Sequence, residues 1–274
     1  MTLAPDHAAD ADVGPTAHFD RHHRRVDPTG LSGDYFAVMA RYAREHWWYR
    51  ARAAWMVEAI ATAGAPPGRV LDVGCGTGAA LEHLGALGFT ATIGTDLSPV
   101  ALAHARATVG ATLCESRAEH LPFARDSVAC LVSMDVIEHL DDDGAALREY
   151  VRVVAPGGLV LLTVPAYQWL FADHDVRAGH RRRYTAARLE AVARTVGLSV
   201  ERLTYFNSFL VPPAALLRRT PLRRLGGRTD EETSDLRPGV ARLLGRVTAA
   251  ERAVGRRVRV PFGLSILLVG RVRS

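Results

Sequence analysis

The sequence predicts a doubly wound α/β domain with a mostly parallel sheet, and three observations carry that prediction. Short apolar runs end in an acid or a glycine turn, as in Val70-Leu71-Asp72-Val73-Gly74 and Thr90 to Asp96. Segments of helical period separate these runs, so strand and helix alternate along the chain. The run Ser127 to Met134 is apolar on both faces, as a parallel strand covered by helices on either side should be.

The elements follow in order. Residues 1–33 mix Ala, Asp, His, Pro and Gly without periodicity and read as a mobile arm, in which His18, His22 and His23 form a candidate histidine cluster. From Asp34 to Ala63, Tyr35, Phe36, Met39, Tyr42, Trp55, Met56 and Ile60 recur at helical spacing, giving a helical cap over 34–67. The aromatics around Trp47 and Trp48 are either a core-facing stripe or part of a lid, with Trp47, Tyr49 and Arg50 closing over a ligand and excluding water. Pro66-Pro67-Gly68 ends the cap, and the main domain occupies 68–274.

Within that domain, strands are expected at Val70 to Val73, Thr90 to Thr95, Ala111 to Glu115, Ser127 to Met134, Leu159 to Val164, Ser199 to Tyr205 and Leu264 to Val269. Helices are expected over 79–87, Pro99 to Val109, Asp142 to Val154 and Ala186 to Val196. Ser98 before Pro99 and Thr185 before Ala186 are natural N-caps. A helical insert over 208–260 precedes the last strand, with a basic helix Ala214 to Arg219, a polar linker near Gly226 to Ser234 and a second helix Gly239 to Arg256.

The chemistry concentrates at the turn Gly74-Cys75-Gly76-Thr77-Gly78. Glycines remove Cβ atoms where a ligand approaches the backbone, and the helix behind the turn offers unpaired N–H groups. Gly74, Gly76 and Ala79 satisfy the loose dinucleotide pattern, so an NAD-type oxidoreductase is one reading. Gly78 and the preceding Asp72 favour a cationic adenosyl ligand without a pyrophosphate. Asp96, about twenty residues on, is placed to accept hydrogen bonds from ribose hydroxyls.

Residues 70–78 closely resemble the first motif of the class I S-adenosylmethionine-dependent methyltransferases, and the order of strands, acids and the Pro156-Gly157-Gly158 turn matches that family over 69–165. The resemblance implies a Rossmann-like sheet of seven strands, the last antiparallel, with helices on both faces. It implies S-adenosylmethionine as cofactor and S-adenosylhomocysteine as product, held by Asp72, Gly74, Cys75, Gly76, Thr77, Gly78, Asp96, Leu97, Ala118, Glu119 and Met134. Arg117 stands where the family usually has an aspartate before Ala118 and Glu119.

The fourth strand delivers Asp135-Val136-Ile137-Glu138-His139 at its carboxyl end, where doubly wound sheets place their chemistry. His139 or His180, with Asp135, is the expected catalytic set, acting as a metal-free base. Asp135, Glu138, His139 and His174 or His180 also resemble the divalent-ion site of metal-dependent RNA 2′-O-methyltransferases and some quinone O-methyltransferases, with Asp135 where the RNA enzymes have glutamate. In the blandest reading His139 is packing and Glu138 pairs with Arg181 or Arg183. Arg182, Arg183 and Tyr184 sit just before the Thr185 cap, where arginine forks can grip an anionic acceptor.

Composition narrows the function classes. All 34 residues counted as lysine or arginine are arginine, which excludes a lysine nucleophile or Schiff base, and the net charge of +5 suits anionic partners. The three cysteines lack metal-type spacing and read as reduced thiols. Without a membrane-length apolar run or a signal-like apolar centre, the chain is expected in the cytoplasm as a monomer or homodimer. The expected reaction is methyl transfer to O, N or C of a small molecule, a specialised metabolite or an anionic biosynthetic intermediate. A lipid-linked acceptor at a membrane surface, reached through the insert, is the alternative. A binding module without turnover, or an RNA enzyme using Arg181 to Arg183 and Arg256 to Arg259, is a further class; DNA is not expected.

Overall fold

The computed structural model describes residues 33–219 and 238–273, with two short strands, His18–Phe19 and Arg25–Val26, that pair antiparallel. The remaining residues of the expected arm and the expected linker near Gly226 to Ser234 lie outside the described residues.

Seven strands form one sheet: β1 Arg69–Val73, β2 Ala91–Asp96, β3 Thr112–Glu115, β4 Val128–Met134, β5 Val154–Pro165, β6 Leu198–Phe206 and β7 Ser265–Val272. Their order is β3-β2-β1-β4-β5-β7-β6, with β7 antiparallel to both neighbours and every other pairing parallel. The order reverses between β1 and β4, so a crevice opens beyond their carboxyl ends.

Side chains alternate across the sheet and build two cores. Leu71, Leu131, Val160 and Leu162 face α5 Asp143–Val153 and α7 Ala186–Thr195 through Leu147, Tyr150, Leu189 and Ala193. Val70, Cys130, Val132 and Leu161 face the opposite layer, α2 Trp47–Ala63, α3 Ala79–Gly85 and α4 Pro99–Arg106, through Trp55, Met56, Leu81 and Leu102. The cap is thus α1 Gly33–Glu45 followed by α2, and Trp55, Met56 and Ile60 of its aromatic stripe belong to the core. Ser98 and Thr185 cap α4 and α7 through Ala101 and Arg188, while Asp142 caps α5.

The insert contains α8 Val211–Arg219 and α9 Pro238–Gly255. Helix α8 starts three residues before the sequence expectation because Pro212 and Pro213 occupy its first turn, where an absent N–H costs nothing. Helix α9 packs on α2, where buried Glu58 pairs with Arg252 and with Arg256 just past the helix end, while Trp55 of α2 lies 5.7 Å from the ring of Phe206 at the end of β6. Strand β5 begins at Val154 instead of Leu159, because the Pro156-Gly157-Gly158 segment is absorbed as a register shift against β4. Between α5 and α7, the short helix α6 Asp173–Arg177 leads into Gly179-His180.

Candidate functional site

A cleft of about 1080 Å³ lies over the carboxyl ends of β1, β2 and β4. The glycine turn forms its floor, and the end of β2 ties that turn down. The Gly74 and Cys75 amides both donate to Thr95 O, at 2.8 and 2.9 Å, and the Gly76 amide donates to Asp96 Oδ2 at 2.8 Å. Gly74, Gly76 and Gly78 all have positive φ, at 74, 53 and 87°. A Cβ on Gly74 would sit 2.4 Å from Val136 Cγ2, whereas one on Gly76 would meet nothing within 4 Å and would project into open space. Gly74→Ala should therefore cost about 1–3 kcal/mol from backbone strain, with a packing cost added; urea unfolding of the variant is the check.

Two carboxylates flank this turn. Asp96 accepts from the Gly76 and Ser98 amides, both at 2.8 Å, and lines the cleft beside the turn. Asp72 is 2% exposed, and its Oδ2 has no hydrogen-bond partner. Burial pushes its carboxyl up to about 7, with Arg52 opposing and Asp96 adding to the shift. An orphaned buried carboxylate oxygen beside an open glycine is what a cationic amino-acid group can satisfy. Cys75, Thr77, Leu97, Ala118, Glu119 and Met134 line the same cleft. Glu119 is paired with Arg117 at 3.3 Å, so the arginine at the unusual position engages the expected adenine contact. The donor set fits S-adenosylmethionine.

The lid residues separate. Trp48 and Tyr49 line the cleft, but Trp47 packs toward Phe209, with 6.5 Å between rings, and Arg50 lines a second groove with His83, Arg252 and Arg256. Successive helical residues point about 100° apart, so Trp47, Tyr49 and Arg50 do not share a face. The cation that α2 sends into the cleft is Arg52, lying 5.1 Å over the Tyr49 ring and ion-paired with Asp135. Arg52 is absent from the sequence-based set. Its one local signal is an arginine between buried Ala51 and Ala53 on a mainly apolar helix.

Asp135 departs from its expected role as a base. Its carboxylate holds Arg52 and accepts from Thr163 Oγ1 at 3.1 Å, and its backbone has the uncommon φ of 56° for a non-glycine residue.

The arginine run also departs from the sequence reading. Arg181 binds His139 O and Asp141; Arg182 binds Leu140 O, Asp141 O and Asp143. Arg183 is buried on Asp175 at 2.7 Å, and Tyr184 is buried with its hydroxyl on Asp143 at 2.7 Å. These groups brace the loop because their carboxylate and carbonyl partners lie directly beneath them. Neither Arg181 nor Arg183 pairs with the Glu138 side chain.

Glu138, His139 and His180 do meet at the cleft wall. Glu138 is fully buried, and burial with the nearby Asp135 charge raises its carboxyl well above the usual range. The His139 and His180 rings are perpendicular with centroids 4.8 Å apart. Burial, reinforced by His180, lowers His139 to about 4, so its ring is neutral at physiological pH. His180 Nδ1 lies 2.9 Å from Asp175 Oδ1. Burial alone would raise Asp175, but bonds from His180 and Arg183 and the Arg183 charge hold it below the carboxylate range. His174, 6.4 Å from the His180 ring, also lines the cleft.

Residues 71–162 match the family model described as a methyltransferase domain. The chain is 31% identical over 135 residues to a Mycolicibacterium smegmatis protein named "Probable S-adenosylmethionine-dependent methyltransferase", covering 48% of this chain and 52% of that protein. It is 34% identical over 121 residues to a ubiquinone biosynthesis O-methyltransferase of Pseudomonas putida, covering 41% and 49%. The chain spans about half the length of these curated relatives. A chain in the complex between the Haloferax volcanii Trm112 methyltransferase activator and a methyltransferase shares the fold, with a TM-score of 0.58 at 23% identity over 88% of this chain and 96% of that one. The matched segment contains the glycine turn, Asp96 and the β4 terminus, and the sheet around it has the strand order of a Rossmann-like fold. The chain therefore carries a class I S-adenosylmethionine-dependent methyltransferase domain.

Proposed function

We propose that this protein transfers a methyl group from S-adenosylmethionine to O, N or C of a small-molecule acceptor, a specialised metabolite or an anionic biosynthetic intermediate. The observation that carries the reading is the continuous cleft, which runs from the glycine turn and Asp96 past Asp72 to the wall formed by His139 and His180. S-adenosylmethionine supplies a methyl group on a cationic sulfur. Asp96 binds the ribose, Asp72 turns its unpartnered Oδ2 to the ammonium, and Trp48 and Tyr49 limit water at the mouth. Holding the acceptor in line with the methyl group can supply about 7–11 kcal/mol through effective molarity. An acceptor hydroxyl sheds its proton toward the imidazole corner, since Arg52 and Thr163 engage Asp135.

One surface favours the lipid-linked alternative. Leu243, Val254, Val258 and Phe262 are exposed on α9 and the loop after it, alongside Arg246, Arg256, Arg257 and Arg259. Such a face can rest on anionic lipid. No described helix is long and apolar enough to cross a membrane. Label transfer from methyl-labelled S-adenosylmethionine into aqueous and lipid extracts of the source cells separates the two. Label in the aqueous fraction supports the small-molecule acceptor; label confined to lipid makes α9 a docking element and replaces it. No label in either fraction, from protein shown to bind the cofactor, counts against methyl transfer.

A further inference from the structure

We propose that the second groove, between α2, α3 and α9, is a binding site for a small organic phosphate whose carbon body carries a hydroxyl or amine donor. Its volume is about 560 Å³, within the roughly 300–1,000 Å³ of small-molecule sites, and it shares no lining residue with the cofactor cleft. Arg50, Ala54, Val57, Glu58 and Ala61 recur along α2 at helical spacing and make one wall. His83 of α3, Arg252 of α9 and Arg256 just past its end complete the groove.

The charges select an anion. Arg252 Nη1 and Arg256 Nε meet on one oxygen of buried Glu58, Oε2, at 2.5 and 2.9 Å. Their other guanidinium N–H groups have no partner among the described residues, and neither do the Arg50 and His83 side chains. Three guanidinium groups therefore surround a single carboxylate, with donor edges to spare. Such planar forks match the oxygens of a phosphate.

The remaining features ask for more than a bare anion. Glu58 is 5% exposed, and its Oε1 is buried without a hydrogen-bond partner although Oε2 holds two arginines. A carboxylate oxygen kept from water in this way is costly until a donor reaches it. A ligand hydroxyl or amine supplies that donor; sulfate has none. Ala54, Val57 and Ala61 give the groove an apolar floor of short side chains, against which a carbon skeleton can lie. Free phosphorylated metabolites and glycerophospholipid headgroups both offer this chemistry.

The test is titration of the full-length protein at low salt with glycerol 3-phosphate, followed by calorimetry, with sulfate at matched ionic strength as the donor-free anion. Cosedimentation with phosphatidylglycerol vesicles is the lipid arm. The expected result is saturable binding in at least one arm, with sulfate at least about tenfold weaker as a ligand or competitor. Arg50→Ala and Arg256→Ala should each weaken binding at least about tenfold, while Arg106→Ala, an exposed arginine of α4 outside the groove, leaves it unchanged. Arg50 is exposed and holds no partner among the described residues, so its variant keeps the fold; S-adenosylhomocysteine binding by each variant verifies this. Arg50-dependent binding of glycerol 3-phosphate in solution identifies a free organic phosphate, and Arg50-dependent binding to vesicles alone identifies a headgroup. Absence of saturable binding in both arms, unchanged binding in folded Arg50→Ala and Arg256→Ala, equal affinity for sulfate, or competitive displacement by S-adenosylhomocysteine would each overturn the proposal.

Discussion

Asp96→Ala is expected to weaken S-adenosylmethionine binding at least about tenfold, because a carboxylate accepting from ribose hydroxyls contributes roughly 1.5–3 kcal/mol per charge-assisted bond. Asp96 also pins the turn through Gly76 and caps the next segment through Ser98. Its loss therefore loosens the loop as well as removing a ligand contact. Calorimetry with two ligands separates the effects. Methylthioadenosine keeps the ribose but lacks the amino-acid portion, so its affinity should fall with that of the full cofactor. Unchanged affinity for both would remove Asp96 from the ribose site. Asp96→Asn, which keeps one acceptor oxygen, should lie between wild type and alanine.

The second large effect is a pH dependence centred on Asp72. Its carboxyl, pushed up to about 7 by burial, is mostly protonated in the empty protein below that pH. Binding a cationic ammonium favours the anion and expels the proton. Affinity should therefore rise with pH by up to about tenfold per unit below the folded pKa. The window is about pH 5.5 to 7, which stays under an ordinary α-amino pKa near 7.7. Stability of the empty protein moves the other way: between the ordinary carboxylate value of 3.8 and about 7 the folded state holds a proton that the unfolded chain has lost. Stability accordingly falls as pH rises across that range. The thermal shift produced by the cofactor should grow from pH 5.5 to 7 in wild type and be flat in Asp72→Asn. A flat response in wild type would show that Asp72 does not face the ammonium.

The fold was legible because its signals are local. The end of β1, the glycine turn and the caps at Ser98 and Thr185 are written in a few consecutive residues, since turn conformation and capping depend on near neighbours. The alternation of apolar runs with helical periods gave the doubly wound sheet. Boundaries shifted where prolines or a bulge could be accommodated, at α8 and β5.

At the site, the residues that floor the cleft follow directly from the turn, so Gly74 to Gly78, Asp72 and Asp96 were readable. Those that enter it from elsewhere were not. Arg52 reaches Asp135 across 83 positions, and Arg181 and Arg182 reach the segment after β4, at His139 and Leu140, across 42. No spacing rule encodes such pairings.

By itself, then, the sequence determined the order of the strands, the conformation of the ligand-facing turn and the two acids beside it. Only the tertiary structure decided which charges are engaged: Asp135 on Arg52, Arg183 on Asp175, and Glu138 facing two histidines without a donor. The reason is physical. Backbone turns are fixed by short-range sterics, whereas an ionisable side chain's role depends on its burial and partners, which exist only once distant segments have packed.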